Sequence, residues 1–143
     1  MQRKASAVWQ GGLKDGKGTL TTESKALSGT PYSFGTRFEG VPGTNPEELL
    51  GAAHAACFTM AFSFACDKAG FATDSVDTTA SVRLAKQGEG FAIDRIALTM
   101  QASVPGIDDA TFQQIAAAAK RDCPLSKALA SVPEITLQAT LKN

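Results

Sequence analysis

The stretch GAAHAACFTMAFSFACDKAG, residues 51–70, decides the fold. It follows TNPEELL, residues 44–50, which has the marks of a helix start. Thr44 or Asn45 can cap, Pro46 suits the first helical position, and Glu47 and Glu48 favour the positive end of the helix dipole. The spacing predicts one helix from Pro46 to Ala69, stopped by Gly70. Its apolar residues, among them Leu49, Leu50, Ala53, Phe58, Met60, Phe62 and Phe64, do not fit one stripe, so the helix must be covered on every side. One sheet covers one face. A second copy of the chain packed around this helix is the expected cover for the other, with the chain's own second helix as the alternative.

On either side of the helix the period changes to that of strands. Residues 3–9 and 17–23 flank the turn-rich QGGLKDGKG and predict a hairpin, and a short strand is expected at Tyr32 to Phe38. After the helix, Val76, Thr78, Ala80, Val82 and Leu84 alternate with polar residues, as do Ile96, Leu98, Met100, Ala102 and Val104 beyond KQGEG. That is a second hairpin. DDATFQQIAAAAKRD predicts a helix starting near Asp108 or Asp109, CPLSKALA a short helix, and EITLQATL a last strand. The fold class is α+β: antiparallel sheets around a long central hydrophobic helix, in one domain over residues 1–143.

Composition narrows the function. Lys plus Arg and Asp plus Glu both number 14, so no basic field points to nucleic acid. The basic start MQRKASAVWQGG precedes no secretory core, and no run is expected to span a membrane. The expected setting is the cytoplasm. Three cysteines, an odd number, argue against a secreted disulfide framework and for thiol chemistry, metal or packing.

Cys57 and Cys66, nine positions apart on one helix, face opposite ways and stand ~13 Å apart along its axis, too far to bridge. A bridge within one chain therefore involves Cys123. Cys66 is expected to be a small packing residue. Cys123 precedes Pro124 and so occupies a helix cap. A thiol in mid-helix, like Cys57, is pushed up and inert unless a cation is brought to it. His54, three residues before Cys57, is expected to be buried and hydrogen-bonded. A Cys–His hydrolase lacks an orienting third group, and a zinc site lacks a C-x₂-C pair.

PYSFGTRFEGVPGTNPEELLGAAHAACFTMAFS, residues 31–63, together with RDCPLSKAL, residues 121–129, closely resembles the OsmC/Ohr family, and the wording is nearer the osmotically inducible OsmC branch. The resemblance implies an intertwined homodimer and a cysteine-based peroxidase without metal or flavin cofactor. Carried over by position, Cys57 is the peroxidatic thiol, Cys123 the resolving one, and Arg37 and Glu47 the activating pair. The substrate is an organic hydroperoxide or hydrogen peroxide, and the reductant an external thiol or a dithiol such as a lipoyl group. The alternatives are a redox-sensing or ligand-binding module without turnover, and a thiol–disulfide oxidoreductase, which the lack of C-x-x-C disfavours. Glu47 and Cys57 are ten residues apart, ~15 Å along an unbroken helix. Either the helix starts late or breaks near Gly51, or the Arg37–Glu47 pair serves the Cys57 of a partner subunit. The all-round apolar helix favours the second.

Overall fold

A computed structural model describes residues 1–143. The chain forms two compact units, Met1–Leu49 and Leu50–Asn143. In the first, β1 (Ala5–Gln10), β2 (Lys17–Thr22) and β3 (Thr30–Tyr32) make an antiparallel sheet in that order. The strand expected over Tyr32 to Phe38 is replaced by the end of β3 and a short helix, α1 (Phe34–Phe38). Ser33 explains the change. Its hydroxyl accepts from the Thr36 N–H, and the Thr36 hydroxyl accepts from the Ser33 N–H, a reciprocal cap that starts a helix inside a strand-like pattern.

Helix α2 runs unbroken over Pro46–Lys68. Asn45 caps it: its Oδ1 accepts from the Glu48 N–H at 2.8 Å, and Pro46 fills the first position. At the far end the Phe71 N–H bonds the Cys66 carbonyl and the Gly70 N–H that of Asp67. This paired closure needs a left-handed residue, and Gly70 provides it at φ +86°. By length and composition this helix is apolar enough to cross a membrane, which corrects the expectation that no run reaches that size. Here Gly51, His54, Phe58, Phe62 and Cys66 form a buried stripe inside the second unit.

That stripe lies on the second sheet, built from β4 (Ser75–Gln87), β5 (Gly90–Ser103) and β6 (Glu134–Leu141) in the order β4-β5-β6. A Cβ on Gly51 would stand 3.2 Å from the Ala80 carbonyl, so the missing side chain lets helix and strand approach. Thr59 donates to Thr78 at 2.7 Å. The chain leaves β5 through α3 (Asp109–Asp122) and α4 (Pro124–Ala128), and β6 returns parallel to β5. The sheet is therefore mixed, not purely antiparallel, because a two-helix crossover is long enough to bring the strand back in the same direction. Asp108 caps α3 by accepting from the Thr111 N–H, and that bond is the main cause holding its carboxyl below the ordinary range. Phe58, Phe62, Phe112, Ile96, Leu98 and Met100 fill the core, with Phe62 and Phe112 edge to face.

The exposed side of α2 is apolar as well. Met60 is 74% and Phe64 61% exposed. The chain's own second helix does not cover them.

Candidate active site

Helix α2 carries Cys57 and the crossover carries Cys123, and the fold brings the two sulfurs to 3.2 Å, with Cys123 donating to Cys57. Neither is in a disulfide. A bond needs an S–S length of ~2.05 Å, so a small shift closes the pair. Cys123 is fully buried at the cap of α4, and Cys57 is half-buried. Cys66 is buried in the core; burial pushes its thiol up, and neighbouring Asp67 adds to this.

Burial also pushes the Cys57 thiol above its ordinary value, and Cys123 adds to the rise; the backbone N–H of Leu125, bonded to the sulfur, opposes it. The mid-helix thiol thus behaves as its surroundings dictate. Cys57 lines an open groove of about 600 Å³ together with Met60, Phe64, Ala118 and Pro124, largely apolar, with Lys68 and Asp122 as its charged lining.

His54 is fully buried, and its Nε2 lies 2.8 Å from the Ser126 Oγ of α4. Burial lowers its pKa, so the ring is neutral at neutral pH. Its Nδ1 has no hydrogen-bond partner.

In the first unit Arg37, on α1, grips Glu47, on the opening turn of α2. The Arg37 Nη2 donates to Glu47 Oε1 at 2.7 Å, and Nε lies 3.2 Å from both carboxylate oxygens. Glu47 is 11% and Arg37 38% exposed, so the carboxylate is sheltered and the guanidinium keeps free N–H edges toward solvent. Arg37 also lines a smaller cavity of about 310 Å³ with Trp9, Tyr32 and Phe34.

The sequence-predicted residues thus fall into two pairs, Cys57 with Cys123 and Arg37 with Glu47. Ser126 and the Leu125 N–H escaped sequence reasoning. The available signal was spacing: Ser126 follows Cys123 by three positions, as His54 precedes Cys57 by three.

With this geometry in hand, comparison with known proteins is direct. The family model described as OsmC-like protein matches residues 38–138. Peroxiredoxin OsmC of Escherichia coli (strain K12) is 54% identical over 143 residues, covering 100% of this chain and 99% of that protein. The organic hydroperoxide resistance protein of Xanthomonas axonopodis pv. citri (strain 306) is 32% identical over 127 residues, 85% of this chain and 84% of that one. The crystal structure of the organic hydroperoxide resistance protein OhrB of Bacillus subtilis superposes with a TM-score of 0.69 at 27% identity, covering 97% of this chain and 98% of that one. Two cysteines on the crossover and the central helix, the mixed sheet and these matches agree: the chain belongs to the OsmC-like protein family.

Proposed function

We infer that the chain is a cysteine-based peroxidase that reduces hydroperoxides, with Cys57 as the attacking thiol and Cys123 as the resolving one. The single observation that carries the assignment of the pair is the 3.2 Å between their sulfurs. The Cys57 thiolate attacks one oxygen of the O–O bond; that bond breaks, and the other oxygen leaves as an alcohol, or as water from hydrogen peroxide. Cys57 becomes a sulfenic acid. The Cys123 sulfur then attacks the Cys57 sulfur, water leaves with the thiol proton, and a disulfide forms. An external dithiol restores both thiols by exchange. Three cysteines, an odd number, do not suit a secreted disulfide framework, and we assign the reaction to the cytoplasm.

The raised Cys57 thiol needs a cation to lower it, and Arg37 is the proposed source. Helix α2 is unbroken through Gly51, so Glu47 and Cys57 are ~15 Å apart along its axis. That supports a composite site in a homodimer, in which the Arg37–Glu47 pair serves the Cys57 of the other subunit. Exposed Met60 and Phe64 support the same assembly, because a second copy would cover them. In the composite site Glu47 fixes the guanidinium, and the free N–H edges of Arg37 stabilise the thiolate and orient the peroxide.

Peroxide consumption with excess dithiothreitol tests the reading. Many turnovers per chain with an organic hydroperoxide, and a Cys57–Cys123 peptide after oxidation without reductant, are expected. A single equivalent consumed despite reductant would instead mark a redox sensor, and a dominant bridge through Cys66 would overturn the thiol assignment.

A further inference from the structure

The two thiols are one of two side-chain to side-chain contacts between α2 and the start of α4. His54 stands one helical turn before Cys57, and Ser126 one turn after Cys123. The Nε2–Oγ bond at 2.8 Å therefore runs beside the Sγ–Sγ approach at 3.2 Å as a second rung. Both polar residues are buried, His54 fully and Ser126 to within 8%. The Leu125 N–H of α4 also bonds the Cys57 sulfur, and Leu125 and Leu129 pack against the core. The Cys123 side chain makes no capping bond, and inside α4 the Lys127 N–H bonds the Cys123 carbonyl at 3.0 Å. Apolar contacts around α4 are non-directional, whereas a buried hydrogen bond has a defined length and angle. Unlike the Leu125 N–H and Cys123 contacts, the His54–Ser126 bond does not use the reacting Cys57 sulfur, so it is the directional tie that can hold α4 along α2 when that sulfur changes.

We propose that His54 and Ser126 are positioning residues for the resolving step, holding Cys123 in line to attack oxidised Cys57. This rests on the peroxidase reading above. Neither residue contacts the peroxide or exchanges a proton with it. When Cys57 becomes a sulfenic acid, an oxygen enters beside the pair and must then leave as water while the S–S bond forms and the S–O bond breaks. The second rung keeps α4 in register through that exchange, so Cys123 returns to its attacking position. A chain without the rung still makes the sulfenic acid but closes the disulfide slowly, and a second peroxide then takes Cys57 on to the sulfinic acid.

Single-turnover experiments on the full-length protein separate the steps: sulfenic acid is trapped with dimedone, disulfide and sulfinic acid are followed by mass spectrometry, and folding is checked by circular dichroism. In Ser126→Ala the first oxidation should stay within about twofold of wild type, while closure slows on the order of tenfold, the size of one neutral buried hydrogen bond. Sulfinic acid at Cys57 should rise with peroxide dose. Ser126→Thr, which keeps a hydroxyl, should restore closure, and His54→Gln should give the same split as Ser126→Ala if either variant alone disturbs folding. Closure at the wild-type rate in both Ser126→Ala and His54→Gln overturns the positioning role and leaves the peroxidase reading standing. Equal slowing of both steps marks a merely structural bond and also overturns it. Wild-type protein that forms no sulfenic acid removes the peroxidase reading itself, and this proposal with it.

Discussion

Met1–Leu49 buries Gly16 and Gly18 and no apolar side chain, whereas Leu50–Asn143 buries Phe58, Phe62, Phe112 and the inner row of β5. The first unit has a tilted Trp9–Tyr32 pair, a capping box and the Arg37–Glu47 ion pair; every residue of β1 is exposed. A piece of that size, below the ~70 residues at which a core becomes self-sufficient, needs cover from outside itself. The second unit has a real interior and keeps its thiols there. The difference sets unlike surroundings: the first unit holds its Arg37–Glu47 pair partly in solvent, and the second keeps Cys57 and Cys123 together beside a largely apolar groove.

The largest effect separates the two thiols. Cys57→Ser should abolish peroxide consumption outright, while Cys123→Ser should still complete one sulfenic acid per chain and stop there; retained turnover in Cys57→Ser breaks the thiol side of the contrast. The charged side follows. Burial leaves Cys57 above its ordinary value, so loss of the cation in Arg37→Ala should slow attack at neutral pH roughly 10- to 100-fold. The sign with pH is fixed: the thiolate is the reactive form, so the variant's rate should recover as pH rises through the raised value, its inflection lying above that of wild type. An unaltered profile removes Arg37 from the mechanism. Mixing Cys57→Ser with Arg37→Ala subunits sharpens the point, because the mixed dimer carries one site with both lesions and one with neither. Activity should partly return on mixing; proven mixed dimers that stay inactive exclude the shared site.

A smaller effect concerns assembly. Met60→Glu puts a charge on the exposed apolar face of α2 and should convert the proposed dimer to monomer in sedimentation, since covering a carboxylate with an apolar surface costs its hydration. An unchanged dimer would move the interface elsewhere.

The smallest effect is a pH slope. His54, the chain's one histidine, has its pKa held below its ordinary 6.5 by burial. Its folded value is depressed, so the unfolded chain binds the proton more tightly, and stability present above pH 6.5 is lost as pH falls toward the folded value. The melting temperature should therefore drop from pH 7 toward the acid side, and His54→Gln should flatten that drop even if it lowers the whole curve. A slope unchanged in His54→Gln would show that other groups set it.

What the sequence made legible was local. The cap at Asn45, Pro46 in the first turn and the stop at Gly70 are decided by neighbours within a few residues, and α2 follows from them. Residues 33–38 misled because alternation favours a strand, while the Ser33–Thr36 exchange needs a hydroxyl partner in both directions to be seen. The direction of β6 was not legible, because it depends on where a long crossover delivers the chain. The site divides in the same way. Cys57, Cys123, Arg37 and Glu47 stood out through motifs carried by a resemblance, while Ser126 did not, because His54 and Ser126 meet across 72 positions of sequence.

The parallel return of β6 has a consequence for how the protein comes into being. Cys123 rides on the crossover between β5 and β6, so it reaches Cys57, 66 positions away, only when that long loop closes. Non-local contacts of this kind pay their loop entropy before they are rewarded, and so form late in folding. Lys120 and Gln113 of α3 bond the carbonyls of Ile135 and Ala139 on β6, tying the crossover to that strand. The two sulfurs therefore meet late, and the docking of β6 on β5 and α3 holds in place the crossover that carries Cys123.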